Sequence, residues 1–107
     1  MLNQTILIGR VTHIMSVDPI LYEGRSIRHV TLKIPRVYKN TEGTYDTDKI
    51  TVAIPETMMH VAIAEGNLIA VKGRLEVFKT HMSATQLTVM VERITTLSAT
   101  PPSGEKK

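Results

Sequence analysis

The stretch VYKNTEGTYDTDKITVAIP, residues 37–55, sets Tyr38 and Tyr45 near the two ends of a polar run, with Lys39 and Lys49 close by. A phenol ring offers a flat face for stacking, and an ammonium offers a compact charge for an anion. That is the chemistry of holding a ligand rather than of making bonds. Nothing else in the chain argues for catalysis. The carboxylates form no acid–base pair, and the serines lie in no nucleophile motif. There is no glycine-rich phosphate loop. His13, His29, His60 and His81 are scattered, with no pair at metal-ligand spacing. Cysteine is absent, which excludes disulfides and thiolate metal sites. The expected protein is not an enzyme and carries no cofactor and no metal.

Further cations share the pattern. Lys33, Lys49 and Thr51 alternate with apolar neighbours, so they point outward from a strand. Arg36, Lys39 and Lys49 gather around the polar run, where they are expected to meet phosphate. Glu42, Asp46 and Asp48 make the same region locally acidic and oppose that reading. Lys72, Arg74 and Lys79 supply a second group of cations. Tyr22 precedes a glycine-containing turn, and its bland reading is a turn anchor. Phe78, the sole phenylalanine, has Val77 beside it on the opposite parity, so one of the two faces out.

The elements that must position these residues are mostly strands. The 107 residues, 42% hydrophobic and 21% charged, suit one folded domain rather than a disordered chain. No apolar run approaches the roughly 20 residues needed to span a bilayer. The opening MLNQTILIGR has neither a basic start nor a small-residue cleavage site, so it reads as mature structure in a cytoplasmic protein. The formal charge of +3 permits a polyanion partner without demanding one.

Residues 3–14 read as a long strand, apolar on both parities, with Gly9 marking a bend or bulge. Residues 25–37 form a second strand, with Val30, Leu32 and Ile34 inward and Pro35 near its end. Residues 48–54 form a third. PETMMHVAIAEG, 55–66, has the apolar spacing of a helix, with Pro55 at its start and Gly66 as its stop. Residues 67–78 and 85–97 are the fourth and fifth strands, joined by KTHMSA. The predicted boundaries are a folded domain over 1–98 and a flexible Pro/Ser/Gly tail over 99–107. Three strands, a short helix and two strands is the order of the OB-fold, an all-β five-stranded barrel. A three-stranded sheet followed by a separate hairpin also matches, less economically.

On these blocks the chain resembles the bacterial single-stranded DNA-binding proteins. MLNQTILIGR is similar to the strand that opens their OB domain. LYEGRSIRHVTLKIPRVYKN resembles their second block, GTYDTDKITVAI the entry to the third strand, and MMHVAIAEGNLIAVKGRLEV the helix and fourth strand. The likeness spans residues 1–97, and it rests on the order and spacing of the blocks.

The resemblance implies sequence-independent binding of single-stranded DNA in replication, recombination or repair. Bases would stack on Tyr38 and on Tyr22, Tyr45 and Phe78, and phosphates would meet Lys33, Arg36, Lys39, Lys49, Lys72, Arg74 and Lys79. It also implies a homo-oligomer, tetramer or dimer, joined through the first strand, and no membrane partner. The chain departs from the pattern in several places. Lys49, Pro55 and Thr80 stand where the family has aromatics, there is no tryptophan, and Ala64 and Glu65 replace cations near the helix end. The family's long linker and acidic tip do not follow. The chain stops at the basic PPSGEKK, so either the tail was trimmed or partners are not recruited that way. The alternative is an OB-fold interaction module of the primosomal replication protein N type, a dimer with weak nucleic-acid affinity. RNA binding through the same barrel is a third reading, since stacking does not distinguish sugars.

Overall fold

The computed structural model describes residues 1–15, 20–22, 24–59, 63–79 and 85–98. The expected tail over 99–107 and most of the KTHMSA connection lie outside these residues. The strands are β1 (Thr5–Ile14), β2 (Ile20–Tyr22), β3 (Arg25–Lys39), β4 (Tyr45–Pro55), β5 (Leu68–Lys79) and β6 (Thr85–Ser98).

The five long strands close on themselves. The pairing runs β1–β5–β6–β4–β3, and β3 returns to β1. All these pairings are antiparallel except β4–β6, a parallel seam of Val52 with Val89 and Ala53 with Met90. This is the expected all-β five-stranded OB barrel. β2 is an addition that turn residues concealed: it pairs with Arg25–Ile27 across a tight turn at Gly24, whose φ is 80°.

Alternation along the strands fills the barrel. Val30 and Leu32 of β3, Val52 and Ile54 of β4, and Val71 of β5 are buried on its axis. Burying each such side chain contributes roughly 1.5–3 kcal/mol. Ala53, on the opposite face of β4, is buried as well. It joins Ile27, Phe78 and Met90 in a second cluster outside the main core.

β1 explains its apolar residues on both parities. It pairs with β5 through Thr5–Arg10, then with β3 through Arg10–Ile14. The bulge falls between Val11 and His13 rather than at Gly9. Gly9 is instead a close approach, where a Cβ would sit 2.7 Å from Ile34 Cγ1 and 3.0 Å from the Lys33 carbonyl oxygen.

The helix expected over 55–66 is corrected. Among the described residues it is one 3-10 turn, Glu56–Met58. Pro55 caps it without a side-chain hydrogen bond, and so short a segment cannot sustain a helix by propagation alone. Its end is claimed by β1: the Gly66 N–H donates to the Val11 carbonyl at 2.7 Å, and the Val11 N–H donates to the Asn67 carbonyl at 2.8 Å. Met58, Met59 and Ile63 still pack against the core, which accounts for the helix-like spacing.

Candidate nucleic-acid interface

Cross-strand register assembles what the chain separates. Arg10 of β1 is opposite Lys33 of β3, and Lys33 is opposite Lys49 of β4. Directly paired residues point to the same face, so three exposed cations form a row about 10 Å long on the barrel's outer wall. Like charges directly opposite one another oppose folding. No carboxylate among the described residues pairs with any of the three. Arg10 was missing from the sequence candidates. It shares its strand parity with the exposed Ile6 and Ile8, so sequence did not mark this face as polar, and only register shows that Arg10 and Lys33 are neighbours. The Arg10 guanidinium also donates to the Gly66 carbonyl at 2.7 Å, which ties the segment after the 3-10 turn to this row.

Beyond the row, β3 and β4 leave the barrel as a finger. Pairing passes from Pro35–Thr47 to Lys39–Tyr45, so β3 carries two extra residues in an irregular stretch. The turn is built on Asn40, whose side-chain oxygen accepts the Glu42 N–H at 2.9 Å and the Thr44 N–H at 3.1 Å. Tyr38 and Tyr45 are 61% and 54% exposed. Alternation places Tyr45 on the same face as Lys49, and the Lys39 ammonium lies 5.9 Å from the Tyr45 ring centre. Tyr38 and Arg36 take the opposite face. There Arg36 forks onto Asp48 at 3.0 and 3.1 Å. The hydrogen bond to Asp48 raises the Arg36 pKa, and the bond from Arg36 holds the Asp48 carboxyl below its usual range. The cluster of Arg36, Lys39 and Lys49 expected from sequence is thus divided between two faces, with Arg36 engaged by a carboxylate.

The candidates on β5 fare differently. Lys72 pairs with Ile6 of β1 and Arg93 of β6, away from the β3–β4 ribbon. Arg74 is held by Glu76 at 2.6 Å and by Glu92, and its pKa is raised chiefly by the hydrogen bond to Glu92. Phe78 is only 8% exposed and packs in the second cluster, so the ring expected to stack on a base is a core residue. Val77 is the outward member of that pair, at 55% exposure. Tyr22 pairs with Arg25 through its backbone. The side chains of Tyr22 and Lys79 lie outside the described part of the structure.

His29 packs against Phe78, with ring centres 6.4 Å apart. Burial lowers its pKa below 6.5. As pH falls, the unfolded chain therefore takes up this proton before the folded one does. The stabilisation is present above about pH 6.5 and is lost as pH falls toward the lower folded value. Between about pH 7.5 and about pH 5.5 the melting temperature should fall further for the wild type than for His29→Gln. Equal falls in a thermal melt would remove His29 as the cause.

No family profile matches the chain. Over 82 residues, 71% of its length, it is 33% identical to the single-stranded DNA-binding protein B of Bacillus subtilis, of which 69% is covered. Over 79 residues it is 34% identical to the single-stranded DNA-binding protein 1 of Clostridium acetobutylicum, covering 71% of this chain and 72% of that one. Among the solved structures that share the barrel are two at 19% identity. The dimeric N-terminal domain of the PriB protein from Thermoanaerobacter tencongensis has a TM-score of 0.68 over 91% of this chain and 98% of that one. The Plasmodium falciparum SSB complex with ssDNA has a TM-score of 0.66 over 92% and 96%.

Proposed function

Because the chain belongs to the single-stranded DNA-binding protein family, we propose that it binds single-stranded DNA without regard to sequence, in replication, recombination or repair. It is a binding protein and not an enzyme. The observation that carries the reading is the row Arg10–Lys33–Lys49: three cations set side by side against their own repulsion, on a face with an exposed tyrosine further along. Phosphates meet the row, and bases stack on Tyr38 and Tyr45 at roughly 1–3 kcal/mol each. Arg36 joins them only where a phosphate displaces Asp48. Ile6 and Ile8, 64% and 52% exposed on β1, give a homo-oligomer its contact, as a dimer or a tetramer.

Burial of Phe78 favours one other reading, an OB-fold module with weak nucleic-acid affinity, because it leaves fewer stacking faces. A titration of fluorescent oligo-dT at low and moderate salt, with duplex DNA as competitor, separates the two. Single strands should be preferred, with a log–log salt slope of about −0.7 per phosphate neutralised. Replacing Lys33 and Lys49 by Gln should flatten the slope by about 1.4. No preference for single strands at low salt ends the main reading and leaves the interaction module.

A further inference from the structure

One step along the ribbon from the cation row, the outer wall changes character. Thr31 and Thr51 are register partners, two residues before Lys33 and two after Lys49, and His13 of β1 is opposite Thr31. With Met15, His29 and Gln86 they line a recess of about 340 Å³, within the range of small-ligand sites. The two threonine hydroxyls lie 3.2 Å apart. One hydroxyl donates to the other, so the pair keeps one free hydrogen and spare lone pairs. Gln86 adds an amide with both a donor and an acceptor. Burial keeps His29 neutral near pH 7, with one nitrogen of each kind, and Phe78 backs its ring. Among the described residues no lysine or arginine lines the recess.

The described lining is not that of a phosphate site. It pairs mixed donors and acceptors with flat imidazole faces, and that combination matches the edge and face of a nucleobase. Its position matches as well. Two residues along a strand is about 7 Å, so a phosphate at Lys33 and Lys49 leaves its own nucleotide's base within reach of the hydroxyl pair.

We propose that this recess takes one unpaired nucleobase of the bound strand and reads its hydrogen-bonding edge, which gives an otherwise sequence-blind track a base preference at one position. The proposal rests on the single-strand binding argued above. It also supplies a base contact where Lys49 and Phe78 provide none.

The test compares oligo-dT, oligo-dC, oligo-dA and an abasic strand of equal length, with wild type and with the Thr31→Val/Thr51→Val variant. Stacking on tyrosine brings its own modest preference, so the variant decides. In the wild type the best and worst bases should differ by about fivefold or more, as one net hydrogen bond allows. In the variant that ratio should shrink to about twofold, with the salt slope unchanged, because the cation row is intact. A ratio that survives the variant overturns the proposal and leaves single-strand binding standing. Failure to bind oligo-dT at all overturns both. If the variant does not fold, the His29 imidazole resonances of the wild-type protein decide. They should shift with oligo-dT and not with the abasic strand, and equal response to both strands refutes the base subsite.

Discussion

Gly73→Ala should cost the barrel about 3 kcal/mol or more. A Cβ at this position would lie 2.1 Å from the Met90 carbonyl oxygen, 2.9 Å from its carbon and 3.0 Å from the Val91 Cα. All three atoms are backbone, so no rotamer change relieves the clash, and β5 and β6 must part. The register shift between Lys72 and Gly73 lies at this crossing. Met90 and Val91 are buried in different clusters, so separation disturbs both. A domain of this size has roughly 5–15 kcal/mol in total. The melting temperature should fall by roughly 12 °C or more, read by circular dichroism. Gly43→Ala is the control, because its φ of 84° is left-handed but nothing lies within 4 Å. It should cost only about 1–2 kcal/mol. Equal losses in the two variants would refute the crowding argument.

Replacing Tyr38 and Tyr45 together by Ala should weaken oligo-dT binding by about 30-fold or more, since each stacked ring contributes at least about 1 kcal/mol. Neither ring is in the core, so thermal stability should move by no more than about 0.5 kcal/mol. The finger presents one ring on each face, so each single variant should lose part of the affinity. A double variant that binds as tightly as the wild type, with its fold intact, would remove the finger from the binding track.

Much of the fold was legible because strands write a period of two. Val30, Leu32, Val52 and Ile54 alternate in the sequence and are buried in the barrel. Where the period is broken, legibility ends. The extra residue at the Lys72–Gly73 step belongs to β6, so Val77 keeps the parity of buried Val71 and is still exposed, while Phe78 packs in the second cluster outside the main core; parity alone left the two undecided. The helix expected over 55–66 rested on Met58, Met59 and Ile63, which repeat at helical spacing because they pack against the core; among the described residues only Glu56–Met58 is helical, as a 3-10 turn.

The site was legible in its residue types but not in its pairings. Asp48 was visible as a charge near the polar run, but only the β3–β4 register joins it to Arg36. Glu92 lies 18 residues from Arg74 and meets it only across the β5–β6 hairpin. Arg10 joins Lys33 by the same kind of long-range register, which no local pattern contains.

The finger also divides the labour of change within the molecule. The partly buried Ile34 and Ile50, paired with Asp48 and Leu32, are the last core-facing residues before it; from Val37 to Thr47 only Asn40 is even partly enclosed, and the turn's hydrogen bonds close on themselves. A substitution there removes no buried apolar contact. Descent with modification can therefore retune the ligand surface of this chain, ring by ring and charge by charge, while the barrel that carries it stays under separate selection.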